Sequence, residues 1–191
     1  MTASPSIILA SASPRRGELL AAAGFAVEVC PATVDESVLA DEAPAAYVLR
    51  LAQAKARAVP SGAGLVLGAD TAVVVESEIL GKPAGDAEAR AMLTRLAGRD
   101  HQVLTGVCLR RARDGREACA VEATRVWLTP LTPEEIAEYV ASGEPRDKAG
   151  AYAIQGRAAR FIPRIEGSYS NVVGLPLATV SALWRQLAPS S

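Results

Sequence analysis

The stretch Leu65-Val66-Leu67-Gly68-Ala69-Asp70-Thr71-Ala72-Val73-Val74-Val75 is strongly apolar and predicts a strand buried in a sheet. Asp70, in its middle, would then be a buried carboxylate. Because an unpaired buried carboxylate is costly, Asp70 must bind a cation, accept hydrogen bonds or shift its pKa. We therefore take Asp70 as a candidate site residue. In an alternative interpretation, Gly68 to Thr71 form a turn between two strands, and Asp70 only caps that turn.

A second strand with a helix after it is predicted near the start of the chain. Ile7 to Ala10 have the composition of a short buried strand. Ser13 is a good N-cap, Pro14 suits the first helical position, and Gly24 is the expected end of the helix. The order strand, serine-containing turn and helix is typical of a corner that binds phosphate.

Two arginines fall in the first turn of that helix. Arg15 and Arg16 lie where the free N–H groups and the positive end of the helix dipole already favour an anion. Together with Ser11, they are candidates for binding a phosphate group. The alternative is a solvated basic patch, whose unfavourable dipole interaction is relieved by Glu18 or by salt.

The rest of the chain alternates between strand and helix patterns. Tyr47, Val48, Leu51, Ala52 and Ala58 are predicted near the apolar face of a long helix over residues 43–59. The other predicted elements are a strand at 27–30, helices at 86–96 with Asp86 as N-cap, at 132–142 from a capping box and at 177–187, and paired strands at 102–111 and 117–128. These elements predict a mixed α/β fold, in a single domain over residues 1–191 that could have two lobes.

Composition excludes several classes of protein. The chain has 191 residues, is 50% hydrophobic and carries a net charge of −1, so it is neither disordered nor typical of proteins that coat nucleic acid. The 4% of aromatic residues leaves few side chains for stacking bases. No apolar run is long enough to span a membrane, and residues 1–13 lack the pattern of a signal peptide. We therefore expect a cytoplasmic protein.

The cysteines and the single histidine limit metal chemistry. Cys30, Cys108 and Cys119 lack CxxC spacing, and we expect reduced, packed thiols. His101 is the only histidine and is predicted to be a loop or packing residue, so a site with several histidine ligands is excluded. A metal here would need oxygen ligands, which favours magnesium or manganese.

Five further residues are weaker candidates. Lys55 lies close to the apolar edge of the long helix, and Lys82 lies in the turn Gly81-Lys82-Pro83, but both could simply be solvated. Asp35-Glu36 is an acidic loop pair that could bind a metal or only face water. Gln155, in the segment 148–156, has an amide that both donates and accepts, as recognition of a base edge requires. The alternative for that segment is a strand with bulges at Gly150 and Gly156.

Five stretches together closely resemble the Maf family of nucleoside triphosphate pyrophosphatases. They are Ser-Ala-Ser-Pro-Arg-Arg at 11–16, Gly-Ala-Asp-Thr at 68–71, Gly-Lys-Pro at 81–83, Asp-Lys-Ala-Gly-Ala-Tyr-Ala-Ile-Gln-Gly at 147–156 and Gly-Ser-Tyr-Ser-Asn-Val-Val-Gly-Leu-Pro at 167–176. The resemblance implies an elongated, mixed β-sheet flanked by helices with a deep cleft, related to the inosine triphosphate pyrophosphatases. It also implies metal-dependent hydrolysis between the α and β phosphates, and a homodimer.

The resemblance assigns roles to particular residues. Asp70 matches the catalytic proton acceptor, and Arg15, Thr71 and Gln155 match positions linked to substrate choice. Ser11, Arg16, Lys55 and Lys82 match the lining of the phosphate site. Glu36, with Asp70, matches the acidic positions near a divalent cation, Mg²⁺ or Mn²⁺, although the alignment could move by one residue onto Asp35.

The resemblance leaves the substrate open between related possibilities. The form Ala-Tyr-Ala-Ile-Gln-Gly, with Ser-Pro-Arg-Arg, is similar to the subfamily that acts on dTTP and UTP. A second subfamily prefers 7-methylguanosine triphosphate. A third possibility is a nucleotide-binding regulator without enzymatic activity, because the family is associated with inhibition of septum formation. Retention of Asp70 beside two lysines favours the enzyme.

Overall fold

The computed structural model describes residues 6–60, 62 and 64–187, so the first five residues of the stretch tested for a signal peptide lie outside it. The elements in chain order are β1 (Ser6–Leu9), α1 (Pro14–Ala22), β2 (Ala26–Val29), α2 (Pro44–Ala58), β3 (Leu65–Val75), β4 (Glu78–Leu80), α3 (Asp86–Leu96), β5 (Asp100–Arg111), β6 (Glu117–Trp127), α4 (Pro133–Ala141), β7 (Arg164–Glu166), α5 (Tyr169–Val173) and α6 (Leu177–Leu187). Two short 3-10 helices cover Ala149–Ala151 and Arg157–Phe161. None of the described helices has the length and apolar character needed to cross a membrane.

The strands form one mixed sheet. Their order is β2-β1-β3-β5-β6-β7, and β4 pairs with β3 beside this path. β1 runs parallel to β2 and β3, whereas β5, β6, β7 and β4 continue the sheet in antiparallel pairs. This arrangement confirms the predicted α/β class. β3 is continuous from Leu65 to Val75, so the alternative of two strands joined by a turn is wrong.

Two glycines let α2 lie directly on the sheet. A Cβ added to Gly68 of β3 would come within 2.0 Å of the Ala52 carbonyl oxygen, and one added to Gly106 of β5 within 2.2 Å of the Val48 carbonyl oxygen. In the β3–β5 register Gly68 pairs with Cys108 and Gly106 pairs with Asp70, so the two glycines lie two residues apart on the same face of the sheet. Glycine is therefore required in β3 for close packing of a helix rather than for a turn.

The opposite face of β3 carries two separate apolar cores. Leu65, Leu67 and Ala69 pack with side chains of α1 and α6. Val73 and Val75 pack with side chains of α3 and α4. Because side chains alternate along a strand, Thr71 faces the same side between these cores, where its hydroxyl lies 2.9 Å from that of Thr105. A polar position thus separates two apolar regions on one face of the sheet.

Local signals predicted most helix ends well. The capping box of α4 is present, since Thr132 and Glu135 each bind the other's backbone N–H. The N-cap of α3 is Gly85 rather than Asp86, which instead lies in the first helical turn, where its charge still favours the dipole. Ala58 is exposed, because the 3.6-residue period turns the buried side of α2 away from it. Ser13 caps α1 by position but makes no side-chain cap bond.

The segment around Gln155 is not a strand. Gly150 and Ala151 both have positive φ, at 65° and 61°, and they turn the chain through a 3-10 helix. Gly150 must be glycine for a second reason, since a Cβ there would lie 2.8 Å from the Val73 side chain. The alternative of a bulged strand is therefore wrong.

The prediction of three reduced cysteines is wrong for two of them. Cys108 and Cys119 lie directly opposite each other in the β5–β6 pair, with Cα atoms 4.0 Å apart, and form a disulfide. The register of the hairpin brings them together although they are 11 residues apart in sequence. Cys30 is a free, half-buried thiol, and His101 is buried in β5, which confirms its packing role.

Candidate active site

The site lies where one edge of β3 is open. β5 pairs with one edge of this strand from Leu65 to Val74. On the other edge, β1 pairs at residues 66–67 and β4 at residues 73–75. Among the described strands none pairs with the intervening residues 68–72 on that edge, and these include Asp70 and Thr71. Since neighbouring side chains alternate, Asp70 points to the α2 face and Thr71 to the opposite face.

A cavity of about 490 Å³ opens at this gap. All eight predicted site residues with substrate or catalytic roles, and the predicted metal ligand Glu36, line it: Ser11, Arg15, Arg16, Glu36, Lys55, Asp70, Thr71, Lys82 and Gln155. The sequence prediction had placed these residues on six different segments. The structure therefore brings the whole predicted set together at one place.

Arg16 bridges the open edge of β3. Its Nη1 donates to the Ala69 carbonyl oxygen and to Ser11 Oγ, both at 2.9 Å, and its Nη2 donates to Thr71 Oγ1 at 3.0 Å. Its Nε donates to the Gly174 carbonyl oxygen at 2.9 Å. Burial lowers the pKa of Arg16, and the charge of Asp70 partly opposes that shift. Most of its N–H groups thus bind protein, and Arg16 organises the site from within.

Lys55 joins the two acidic residues of the site. Its Nζ lies 2.7 Å from Asp70 Oδ1 and 2.6 Å from Glu36 Oε1. The Lys55 and Asp70 side chains are only 9% and 12% exposed, whereas Glu36 is half exposed. Burial opposes ionisation of Glu36, but the hydrogen bond and charge of Lys55 outweigh it and hold the pKa of Glu36 below its usual value. Lys55 and Asp70 therefore form a buried ion pair, and Glu36 is a third, half-exposed member of the cluster.

The loop before α2 presents Glu36, and not Asp35, to this cluster. Tyr47 Oη donates to the Glu36 carbonyl oxygen at 3.0 Å, and Arg50 Nη2 donates to that of Ser37 at 2.9 Å. Asp35 turns back on the loop, where its Oδ1 accepts from the Ser37 N–H. Sequence analysis had assigned Tyr47 to the apolar face of α2. Its position on the same stripe as Lys55, eight residues earlier, was the available signal for a site residue.

The donor set of the cluster fits a hard divalent cation. Asp70 and Glu36 lie close together because each binds Lys55 Nζ through one oxygen, Oδ1 and Oε1, and the other oxygen of each carboxylate is the ligand that it can offer to a cation beside the ammonium. Within the described ranges, Cys108, Glu117 and Cys119 are the one cluster of three acidic, histidine or cysteine side chains, and its two cysteines are disulfide-bonded to each other. Magnesium commonly binds one or two carboxylates and completes its coordination with substrate phosphates and water. Asp70 and Glu36 match that pattern.

Arg15 and Gln155, two of the candidates for substrate recognition, also line the cavity. Arg15 Nη1 lies 3.7 Å from Asp147 Oδ2, and the adjacent Lys148 also lines the cavity. The Gly150 N–H donates to the Gly81 carbonyl oxygen at 3.0 Å, which ties the turn of Lys82 to the segment of Gln155. The Gln155 side chain itself is exposed to the cavity.

Tyr152 is a buried wall residue that sequence analysis did not single out. Its hydroxyl lies 2.7 Å from His101 Nε2, and the two rings meet edge to face at 5.3 Å between centroids. Burial lowers the pKa of His101 to about 4, so the imidazole is neutral near pH 7. The pair anchors one end of the segment that leads to Gln155.

The fold and the site define an α/β protein with a cationic cavity built around one buried carboxylate. The sequence profile of the family described as Maf-like protein matches residues 6–187. A dTTP/UTP pyrophosphatase of Anaeromyxobacter dehalogenans strain 2CP-1 is 55% identical over 184 residues, 95% of this chain and 94% of the relative. Proteins with the same name from Geotalea uraniireducens and Symbiobacterium thermophilum are 53% and 57% identical, over 98% and 90% of this chain and 97% and 88% of theirs. The chain belongs to the Maf-like protein family.

Proposed function

We propose that this protein hydrolyses nucleoside triphosphates between the α and β phosphates, with dTTP and UTP as its preferred substrates. The products are the nucleoside monophosphate and pyrophosphate, so the reaction clears nucleotides from the cellular pool. The observation that carries the proposal is the buried Asp70 carboxylate, held by Lys55 in a cavity lined by further cations. The names of relatives that are 51–57% identical support the same substrates.

The cations supply the binding of the polyphosphate. Arg15 and Lys82 line the cavity with side chains that reach solvent, so they can bind phosphate oxygens directly. Arg16 adds a buried positive charge and holds Ser11 and Thr71 in place. A divalent cation bound by Asp70 and Glu36 would neutralise charge on the phosphate oxygens. These interactions strengthen as charge develops on the leaving pyrophosphate.

Asp70 is assigned as the proton acceptor. The bond from Lys55 Nζ to Oδ1 orients the carboxylate, and Oδ2 is the oxygen that we assign to the attacking water. The water oxygen forms a bond to the α phosphorus while its proton passes to Asp70. The bond from that phosphorus to the bridging oxygen breaks, and pyrophosphate leaves with the electron pair.

Gln155 is assigned to recognition of the base. Its amide can donate to a carbonyl and accept from the imide N–H of uracil or thymine, an edge that the two bases share. Arg15 and Thr71 complete the set assigned to substrate choice. The methyl group that distinguishes thymine from uracil changes binding only modestly in an apolar pocket, which is consistent with action on both.

The test is pyrophosphate release from dTTP, UTP, CTP, 7-methyl-GTP, ATP and GTP, with magnesium or manganese or with a chelator. We expect metal-dependent release from dTTP and UTP that is abolished in Asp70→Asn. Asp100→Asn is the matched control, because Asp100 lies in β5 and pairs with Arg125 instead. Preference for 7-methyl-GTP would contradict the substrate assignment alone. Nucleotide binding without turnover would contradict the enzyme and favour a regulator.

We assign the reaction to the cytoplasm, because nucleotide pools are its substrate. The homodimer implied by the family resemblance is also a proposal. Size-exclusion chromatography with light scattering distinguishes a dimer from a 19.8 kDa monomer.

A further inference from the structure

The short segment that carries Gln155 is held on both sides of that residue by one pair of side chains from the α4 region. On the N-terminal side, the Ala153 N–H donates to Tyr139 Oη at 3.2 Å. On the C-terminal side, the Arg157 N–H donates to Glu144 Oε2 at 3.0 Å. Tyr139 Oη in turn donates to Glu144 Oε1 at 2.8 Å, which links the two anchoring groups.

The packing around this pair leaves little freedom. A Cβ added to Gly156, the residue after Gln155, would lie 2.1 Å from Glu144 Oε1, so the carboxylate fits against bare backbone. Tyr139 is buried, at 1% exposure, and burial together with the bond to Glu144 raises the pKa of its phenol. The phenol therefore keeps its proton and donates a hydrogen bond to the carboxylate.

We propose that Glu144, through Tyr139, is a positioning residue that sets base discrimination by orienting the Gln155 amide. The inference rests on the proposed function, since it assumes that Gln155 reads the base. Glu144 is not among the residues that line the cavity, so it acts through the segment rather than on the substrate. It accepts hydrogen bonds from the backbone and the phenol, so the Gln155 amide is oriented before substrate binds. Ordering of this segment therefore does not reduce the free energy of substrate binding.

Loss of Glu144 leaves Tyr139 Oη and the Arg157 N–H without their acceptor. The segment then samples other conformations, and a base that requires both amide hydrogen bonds loses more binding than one that uses fewer. We expect Glu144→Ala to raise the KM for dTTP about tenfold, with a smaller change in kcat, and to reduce the dTTP-to-CTP ratio of kcat/KM by at least fivefold.

Two further variants keep the test informative. Glu144→Gln preserves the volume of the side chain but offers one acceptor oxygen to two donors, Tyr139 Oη and the Arg157 N–H. We therefore expect an intermediate loss of the dTTP-to-CTP ratio, and this variant tests the proposal even if Glu144→Ala folds poorly. Glu135→Ala is the matched control, because Glu135 is an acidic residue of α4, the helix that carries Tyr139, and it binds the Thr132 N–H in the capping box. It should reduce stability and leave the ratio unchanged. In Tyr139→Phe we expect a loss of ratio that is not additive with that of Glu144→Ala.

Gln155→Ala separates failure of this inference from failure of the proposed function. A collapsed ratio in Gln155→Ala and in both Glu144 variants supports the proposal. A collapsed ratio in Gln155→Ala alone overturns the role of Glu144 and leaves the proposed function intact. A uniform loss of kcat across all substrates in the Glu144 variants shows a purely structural role and also overturns it. An unchanged ratio in Gln155→Ala overturns the role of Glu144, because it shows that Gln155 does not read the base. The proposed hydrolysis is then still tested separately, by whether pyrophosphate release depends on Asp70.

Discussion

Replacement of Lys55 by methionine tests the electrostatic core of the site. Methionine keeps most of the length of the side chain and removes the charge. In the native protein the Lys55 ammonium lies 2.7 Å from a carboxylate of Asp70 that is 12% exposed. The variant leaves that carboxylate in the cavity without its ion-pair partner, although the charge of Arg16 still favours it.

The expected loss of stability follows from the burial of the two partners. Breaking a buried ion pair by removal of one member typically costs about 3–5 kcal/mol of unfolding free energy. The second partner, Glu36, is half exposed, so its bond to Lys55 adds about 1 kcal/mol at most. For a chain of this length, a loss of about 3–5 kcal/mol lowers Tm by roughly 6–20 °C.

Arg57→Met on the same helix is the matched control. Arg57 binds Glu117 at 2.6 Å, a distance as short as those made by Lys55, but its side chain is 57% exposed. Such a pair contributes about 0–1 kcal/mol. Urea unfolding of both variants, and of Lys55→Met combined with Asp70→Asn, measures the difference. The double variant should regain part of the loss, because its buried carboxylate has become a neutral amide.

Equal losses in Lys55→Met and Arg57→Met would refute this reasoning. They would show that burial does not distinguish the two ion pairs. A loss in the double variant equal to the sum of its single losses would likewise show that Lys55 and Asp70 do not stabilise one another.

Three other predictions concern the packing and the cysteines. Because burial lowers the pKa of His101 from 6.5 to about 4, only the unfolded chain binds this proton between those values. The contribution of His101 to the free energy of unfolding is therefore complete above pH 6.5 and decreases by about 3 kcal/mol as the pH falls to 4. Urea unfolding at a series of pH values should find this decrease in the native protein, and His101→Gln should lack it. Gly68→Ala should lower stability by about 1–3 kcal/mol and abolish activity by displacing α2, whereas Gly17→Ala, with open space around it, should stabilise α1. Thiol titration of the denatured protein should find one thiol before reduction and three after it.

Much of the fold was predictable because its signals are local. The apolar run of β3 and the capping box of α4 each depend on residues within a few positions of one another, so composition and spacing sufficed. The candidate Asp70 followed from a similar argument, since a carboxylate in an apolar strand requires compensation wherever the strand lies. Helix ends were less certain, and the N-cap of α3 moved by one residue from its predicted position.

The partners of the site residues depended on tertiary structure. Sequence analysis placed Arg16 at the start of a helix with two possible environments, but its bonds reach residues 53, 55 and 158 positions away. The pairing of Cys108 with Cys119 likewise depended on the register of a hairpin. Neither partnership leaves a pattern within a few residues of sequence.

The sequence by itself thus determined which residues need compensation: a buried carboxylate, and cations at a helix N-terminus. Only the tertiary structure decided what compensates each of them. It placed Lys55 against Asp70, and it placed Glu144 beside the segment of Gln155. The physical reason is that burial cost is a property of one residue and its immediate neighbours in the chain, whereas hydrogen bonds and ion pairs form between groups that only packing brings within about 3 Å.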